Sequence, residues 1–316
     1  MLAYLIRRLF QAAITIVVMA VLVFVGIYAI GNPIDVLISP EADPAEIEAA
    51  IRRLGLDQPL WRQFLLFVGN ALRGDLGTSF VHNEPALRLI IERMPATLEL
   101  AVAAMLISIF LGIPLGMIAG LRHDRPSGRG IMAASILGFS LPNFWQGMML
   151  IMLFAVWAGW LPSGGRGDTV PLFGVPVSFL TLSGLQHLVL PAINLALFKT
   201  ALVIRLSRAG TREVMLQDYV KFARAKGLSE RRVVLVHMLK NILIPVVTVL
   251  GLEFGSVIAF AVVTETVFAW PGMGKLLIDS ILNLDRPVVV AYLMLIVFVF
   301  ILINLVVDIV YSLLDP

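Results

Sequence analysis

The sequence predicts an all-α integral membrane protein with six transmembrane helices. Hydrophobic residues make up 59% of the 316 residues and charged residues 14%, whereas an ordinary soluble domain has about 45–50% and about 25%. Six apolar runs approach the roughly 20 residues that cross a bilayer as a helix. Basic residues concentrate in the short segments between alternate runs, as in multi-pass membrane proteins.

The six runs can be assigned as spans from their length and polarity. The first follows Arg7 and Arg8 and is longer than the roughly 7–15-residue core of a signal peptide, so we interpret it as a retained anchor. In chain order the predicted spans are Leu9–Ile30, Leu98–Leu121, Ile131–Trp157, Leu188–Leu206, Pro245–Phe268 and Val288–Tyr311.

The short loops predict the orientation, because cytoplasmic loops carry an excess of lysine and arginine. With the N-terminus in the cytoplasm, the inner segments hold Arg7 and Arg8, three arginines between positions 122 and 129, and the basic block from Arg205 to Lys240. The loop of residues 31–97 also contains arginines, but loops above about 60 residues are weak evidence of orientation. We therefore expect both termini in the cytoplasm.

The long loop is predicted to contain two helices. Asp43 and Pro44 are typical of an N-cap and first helical residue, and this helix should end near Gly55. A second helix should start at Pro59 and end before Gly74. Its Leu60, Phe64, Phe67 and Leu72 recur at helical spacing, which favours packing on the membrane helices, with docking of an outside partner as the alternative. Within the spans, proline predicts kinks or re-entrant breaks at Pro114, Pro142 and Pro191.

No motif for catalysis or metal binding is recognised. Cysteine is absent, which excludes disulfides and thiol chemistry, and the histidines show no paired metal spacing. The stretch from Pro271 to Lys275 lacks a phosphate loop's first glycine and its Ser or Thr, since Ala269 and Leu276 stand there. We therefore expect no catalytic, cofactor-binding or metal site and no enzyme activity. The histidines are His82, His123, His187 and His237.

Four ionisable residues inside predicted spans are taken as candidates, because a charge there costs about 2.5–3.5 kcal/mol even on a lenient scale. Lys199 lies six residues before Arg205 and could extend its ammonium to the inner boundary. Asp308 lies near the inner end of the last span. Glu253 and Glu265 remain as candidates that line an aqueous path or pair with a partner helix.

Residues 218–241, "DYVKFARAKGLSERRVVLVHMLKN", form the most basic part of the chain. Tyr219, Phe222 and Ala223 should share one face of a short helix that Gly227 ends, and Ser229 can cap a second helix. We call this predicted helix–turn–helix the knob. The alternative is a basic loop that contacts anionic lipid, which explains the charge but neither the break nor the aromatic face.

The knob resembles the cytoplasmic loop of binding-protein-dependent ABC importer permeases. The strongest similarity is to the B subunits of the oligopeptide, dipeptide and nickel permeases, carried by the knob sequence together with "LGLDQP", "GDLGTSF", "ERMPATLELA" and "ETVFAWPGMGKLL". Lys221-Phe222-Ala223 takes the place of the family's Glu-Ala-Ala, with lysine instead of glutamate. Arg286, in "LDRPV", stands where the family commonly has tyrosine.

The resemblance implies a type I ABC importer permease fold in the bacterial inner membrane. It implies a permease subunit for peptides or related solutes that pairs with a second permease, two cytoplasmic ATPase subunits, a periplasmic or lipid-anchored solute-binding protein, and membrane lipid. ATP and Mg²⁺ would be cofactors of the ATPase subunits, not of this chain. The implied domains are residues 1–31 with the first span, the periplasmic loop 32–97, and the core 98–312 with the coupling loop 212–241.

Site residues follow from the same resemblance. The 217–232 coupling helices would contact the ATPases through Asp218, Tyr219, Lys221, Phe222, Ala223, Arg224, Lys226, Gly227, Leu228, Ser229 and Arg231. The translocation path or gate would include Glu253, Glu265, Phe268, Trp270, Pro271 and Gly272, each of which could instead belong to a tight loop packed on the bundle.

Two other function classes remain as alternatives. An ion-gradient-driven secondary transporter would need an internal repeat and dense polar sites at mid-membrane, and the sequence shows neither. A membrane scaffold would not need both the knob and the kinks.

Overall fold

The computed structural model describes residues 2–29, 43, 45, 48, 51–52 and 57–314. It divides into two compact units, one of Met1–Met94 with Leu276–Leu305 and one of Pro95–Lys275 with Val306–Pro316. Its helices are α1 (Leu2–Ala29), α2 (Leu60–Leu72), α3 (Ala86–Leu121), α4 (Pro126–Ser140), α5 (Asn143–Leu150), α6 (Leu182–Met215), α7 (Asp218–Ala225), α8 (Glu230–Arg232), α9 (Leu239–Val267), α10 (Met273–Leu282) and α11 (Arg286–Leu314). Two π-helices, π1 (Ile151–Trp157) and π2 (Val233–Met238), and an antiparallel hairpin of β1 (Val170–Leu172) and β2 (Val175–Val177) complete these elements.

In the first unit, α2 packs on α1 through aromatic rings. The Phe24 ring lies 5.3 Å from that of Phe64, edge to face, and 6.1 Å from that of Phe67. Phe64 and Phe67 therefore pack on α1, the helix of the first predicted span, whereas Leu60 and Leu72 are exposed. The Asp43 carboxylate accepts a hydrogen bond from the Ala45 amide, as predicted for an N-cap. Pro44 and Gly55 lie outside the described residues.

Four helical stretches are long and apolar enough to span a membrane within the described residues, and a bent pair raises the number to five. The first predicted span falls in α1 up to Ala29, and its Ile30 lies outside the described residues. The apolar stretch of α1, Phe10–Gly26, is shorter than these. The four stretches are Ala86–Leu121, Leu182–Met215, Pro245–Val267 and Arg286–Val307.

The third predicted span is not one straight helix. Pro126–Ser140 and Asn143–Trp157 meet at an angle of 105°. Leu141 is extended (φ −84°, ψ 138°) because the following Pro142 disfavours helical backbone before it. Pro142 therefore produces the predicted break, whereas Pro114 and Pro191 lie inside uninterrupted helices.

In the second unit, glycines bring α3 close to α6. Gly112, Gly116 and Gly120 repeat every fourth residue on α3, and a Cβ at Gly116 would lie 2.6 Å from the carbonyl oxygen of Ile204. Small residues at this spacing let two helix backbones approach within a membrane. Helix α6 also packs extensively against α9. It therefore contacts both α3 and α9 and positions the two candidate sites that are described below.

Candidate functional site

Gly227 ends α7, the first helix of the knob, as predicted. It adopts φ +76°, in the left-handed region that favours glycine. Its amide donates to the Arg224 carbonyl (2.9 Å) and the Leu228 amide to the Ala223 carbonyl (3.3 Å). These two bonds form a Schellman motif, which fixes the direction in which the chain leaves the helix.

Helix α7 has one face that packs on the protein and one exposed face that carries aromatic residues. Val220 and Ala223 are 0% and 5% exposed, and the helix packs on π2 and α6. Phe222 is 61% and Tyr219 40% exposed. Ala223 therefore belongs to the packed side, and the aromatic surface that a partner could contact consists of Tyr219 and Phe222.

Charged side chains tie the two halves of the knob together. The Arg224 guanidinium donates to both oxygens of Glu230 across the Gly227 turn, at 2.8 and 3.2 Å. This hydrogen bond lowers the pKa of the Glu230 carboxyl below its ordinary value. Within α7, the hydrogen bond from Lys221 likewise lowers the pKa of the Asp218 carboxyl.

The second half of the knob runs directly into a predicted span. Helix α8, π2 and α9 follow without a break, since their junction residues Val233 and Met238 have helical backbone. The span that was predicted to start at Pro245 is therefore the continuation of a helix that starts at Glu230, and Pro245 lies inside it. Ser229 occupies the N-cap position, although its hydroxyl makes no capping bond.

The other residues predicted for ATPase contact lie around the turn. The Lys226 ammonium is 4.5 Å from the centre of the Phe222 ring, a cation–π contact at the exposed end of α7. Lys226 and Arg231 are exposed and Leu228 is half-buried. The Tyr219 hydroxyl accepts a hydrogen bond from the Asn241 amide at 2.8 Å, which links α7 to α9.

The second candidate site is centred on Glu265, which is fully buried. Its carboxylate accepts hydrogen bonds from the Thr97 hydroxyl (2.6 Å) and the Lys275 amide (2.9 Å). A Cβ at Gly272 would lie 2.2 Å from this carboxylate. The stretch from Pro271 to Lys275, compared above with a phosphate loop, therefore directs a backbone amide at the protein's own carboxylate.

Four other predicted gate residues follow Glu265 along the chain, at the end of α9 and before α10. Phe268 and Trp270 are 1% and 0% exposed, and the Trp270 indole donates to the Ala96 carbonyl at 2.9 Å. Gly272 is buried and Pro271 half-buried. This packing favours the tight-loop interpretation for the present conformation, and a gate role stays a prediction.

Glu253 forms an ion pair with Lys199. The Lys199 ammonium donates to the Glu253 carboxylate and, at 2.8 Å, to the Ser256 hydroxyl. The Lys199 side chain is 8% exposed, so it does not extend to the boundary as expected; a carboxylate one helix away satisfies its charge within the bundle instead. The side chain of Asp308 lies outside the described residues.

Two polar clusters were missed from the sequence. Glu99 on α3 accepts bonds from Arg166 (2.7 Å) and from the hydroxyl of Ser178 (2.7 Å), which hold the loop before α6. Asn194 donates to Asn143 (2.6 Å) and to Thr264 (3.1 Å), joining α6, α5 and α9. Glu99 could have been found, because it is an ionisable residue inside the second predicted span. The pairings could not, because the partners are 51 to 79 positions apart and no local pattern marks them.

No cofactor or metal site was expected in this chain. Among the described residues, no group of three or more His, Cys, Asp or Glu side chains could hold a metal ion. The chemistry available at both candidate sites is hydrogen bonding, ion pairing and packing.

Matches to known proteins extend over nearly the whole chain. The model described as "Binding-protein-dependent transport system inner membrane component" matches residues 112–316, and its N-terminal counterpart matches residues 1–101. The di/tripeptide transport system permease protein DppB of Pseudomonas aeruginosa (strain UCBPP-PA14) is 42% identical over 330 aligned residues, 100% of this chain and 98% of that protein. The glutathione transport system permease protein GsiC of Escherichia coli (strain K12) is 40% identical over 317, with the same coverage.

A solved structure supports the fold. The chain resembles an inward-facing structure of the MetNI methionine ABC transporter with a TM-score of 0.55, over 72% of this chain and 97% of that one. At 15% sequence identity, this likeness concerns the fold alone.

Proposed function

The chain belongs to the family of binding-protein-dependent transport system inner membrane components, and we propose that it moves peptides or related small solutes inward across the bacterial inner membrane. As a permease subunit of an ABC importer, it acts with a solute-binding protein and with ATPases that are separate subunits. The relatives' names, which specify di/tripeptides and glutathione, support the proposed solute class.

The proposed assembly is one copy of this chain, a second permease, two ATPases and one binding protein. Six spans with both termini cytoplasmic place the knob inside the cell, because the basic residues of the short loops then lie on the inner side. In this arrangement residues 1–31 form the anchor, 32–97 the periplasmic loop and 98–312 the core.

The continuous helix from Glu230 to Val267 carries this proposal. Movement of an ATPase against Phe222 would reach α9 through the Arg224–Glu230 pair and the Gly227 turn, without a flexible linker. A rigid link of this kind lets a difference in ATPase affinity shift the permease between two states.

Reconstitution in liposomes tests the proposal. The full complex should take up a radiolabelled dipeptide only with ATP inside and binding protein outside, and Phe222→Ala should lower uptake about tenfold or more, equivalent to about 1.4 kcal/mol of coupling. Phe10→Ala, the same change at an exposed position of α1, is the control. Uptake driven by an ion gradient with this chain alone would instead identify a secondary transporter.

The cargo is determined on the binding protein. A thermal-shift screen of the cognate binding protein against peptides, glutathione, oligosaccharides and nickel chelates should give its largest stabilisation with a peptide. A larger shift with another class would change the solute while leaving the import mechanism in place.

A further inference from the structure

Arg286 begins α11 with a guanidinium that has no described partner. The residue is 6% exposed, and its Nε and Nη1 are buried without a hydrogen-bond acceptor. A guanidinium has hydrogen-bond donors only, so its buried nitrogens need acceptors around them. A buried donor of this kind calls for an acceptor that the described residues do not supply.

The adjacent carboxylate is already committed elsewhere. Asp285 is fully buried and accepts hydrogen bonds from the Ser79 hydroxyl and from the Phe80 amide, at 3.0 Å for the latter. Among the described residues no acid pairs with Arg286. The missing acceptor must therefore come from outside these residues.

The Arg286 side chain borders an apolar groove between α1 and α11. The groove has a volume of about 210 Å³ and is lined, besides Arg286, by Met19, Leu22, Val23, Gly26, Val289 and Leu293, among others. On α1 its rim continues into exposed apolar residues, with Leu22 61% and Val25 58% exposed. In a membrane, such a surface faces hydrocarbon chains.

We propose that this groove binds a phospholipid, with the phosphate on Arg286 and one acyl chain along α1 and α11. A guanidinium and a phosphate form strong charge-assisted hydrogen bonds, and the apolar walls match a hydrocarbon chain but not a free hydrophilic anion. Arg286 lies at the end of α11 that the proposed orientation places on the outer side, at the depth of lipid headgroups. The site is independent of the transported solute.

Native mass spectrometry of the complex, released from phosphatidylglycerol nanodiscs, tests this site. The wild-type complex should retain one phospholipid that Arg286→Gln loses, with occupancy reduced about tenfold or more. Arg73→Gln, the same change at an exposed arginine of this unit, should retain the lipid. Equal retention by Arg286→Gln and wild type would overturn the proposal.

A second variant tests the groove and leaves the guanidinium in place. A Cβ at Gly26 would meet no atom within 4 Å, so Gly26→Leu fills the groove without straining α1. It should displace the lipid as Arg286→Gln does, even where the arginine variant fails to assemble. Full lipid occupancy in Gly26→Leu would contradict the acyl-chain position.

Two further probes identify the ligand's source. Nanodiscs doped with diacylglycerol, which lacks phosphate, should give no retained lipid, and millimolar inorganic phosphate should not displace phosphatidylglycerol. Retention of diacylglycerol would show that Arg286 does not bind the ligand. Displacement by inorganic phosphate would show that the ligand is a simple anion and not a phospholipid.

Discussion

The Thr97 hydroxyl and the Glu265 carboxylate, 168 positions apart, are joined by a hydrogen bond of 2.6 Å. The same hydroxyl oxygen accepts the Met273 amide (2.8 Å), and the same carboxylate accepts the Lys275 amide (2.9 Å). Both amides lie in the first turn of α10, where helix donors lack intrahelical partners. Thr97 and Glu265 therefore fix α10 to α3 and α9, and any opening at this point must break or carry along that cluster.

Thr97→Val should lower stability because it leaves the Met273 amide and one Glu265 oxygen without their partner. We expect a loss of about 1–3 kcal/mol, the usual cost of a buried unsatisfied polar group. The measurement is thermal unfolding of the detergent-solubilised chain.

Thr266→Val is the matched control. Thr266 is exposed, and within the described part of the chain its hydroxyl bonds only to the Val262 carbonyl of its own helix, so the change should stay within about 0.5 kcal/mol. Equal effects of the two variants would show that the Glu265 cluster contributes nothing specific.

Gly227→Val should weaken coupling by straining the knob. A β-branched residue at φ +76° costs about 1–2 kcal/mol or more, which disfavours the turn between α7 and α8. Uptake by the reconstituted importer should fall while membrane insertion stays normal, and Gly227→Asn, which tolerates this backbone, should retain more activity.

Gly130→Ala provides the corresponding control in α4. A Cβ there meets no atom within 4 Å and the residue is helical, so uptake should be unchanged. Wild-type uptake in a well-expressed Gly227→Val protein would count against the knob as the coupling element.

The Arg224–Glu230 pair should make the knob sensitive to acid. Its hydrogen bond lowers the folded-state pKa of Glu230 below the ordinary 4.5, so its stabilisation is present above pH 4.5 and is lost as pH falls through the folded-state pKa. Hydrogen exchange of α7 amides should rise over that range in the wild type, after correction for intrinsic exchange.

Glu230→Gln should weaken that acid transition, leaving the part that Asp218 contributes, and should raise α7 exchange already at neutral pH. Asp218→Asn is the control, because Asp218 pairs with Lys221 inside α7 and does not cross the turn. An unchanged acid transition in Glu230→Gln would assign the titration to another group.

The long apolar helices, the knob and its glycine stop could be predicted because each rests on a local pattern. An apolar run of the length of a bilayer, or a glycine after a short amphipathic helix, has one main physical interpretation. The break at Pro142 was predictable for the same reason. Its angle of 105° was not, because it depends on what the two halves pack against.

The sequence could not predict the partners of buried polar groups. Lys199 was expected to reach the boundary, but Glu253 lies 54 positions away and one helix over, and helix adjacency alone brings them together. The helix start at Glu230 was predicted, but its continuation through Pro245 into the span was not; a proline inside a membrane helix is tolerated when neighbours satisfy the freed carbonyl.

The contribution of the Lys199–Glu253 pair to stability depends on whether one or both of its charges are removed. Lys199→Met leaves the carboxylate of Glu253 without its cation inside the predicted span, and breaking a buried pair costs about 3–5 kcal/mol. The loss should fall below that range because the Glu253 side chain is 31% exposed.

The double variant Lys199→Met/Glu253→Gln removes both charges and should be more stable than Lys199→Met alone, since replacing both members of a buried pair is often nearly neutral. Thermal unfolding and the yield of assembled complex measure both effects. A double variant that retains stability but not uptake would show that the pair serves transport, whereas a double variant less stable than either single variant would rule out mutual neutralisation as its role.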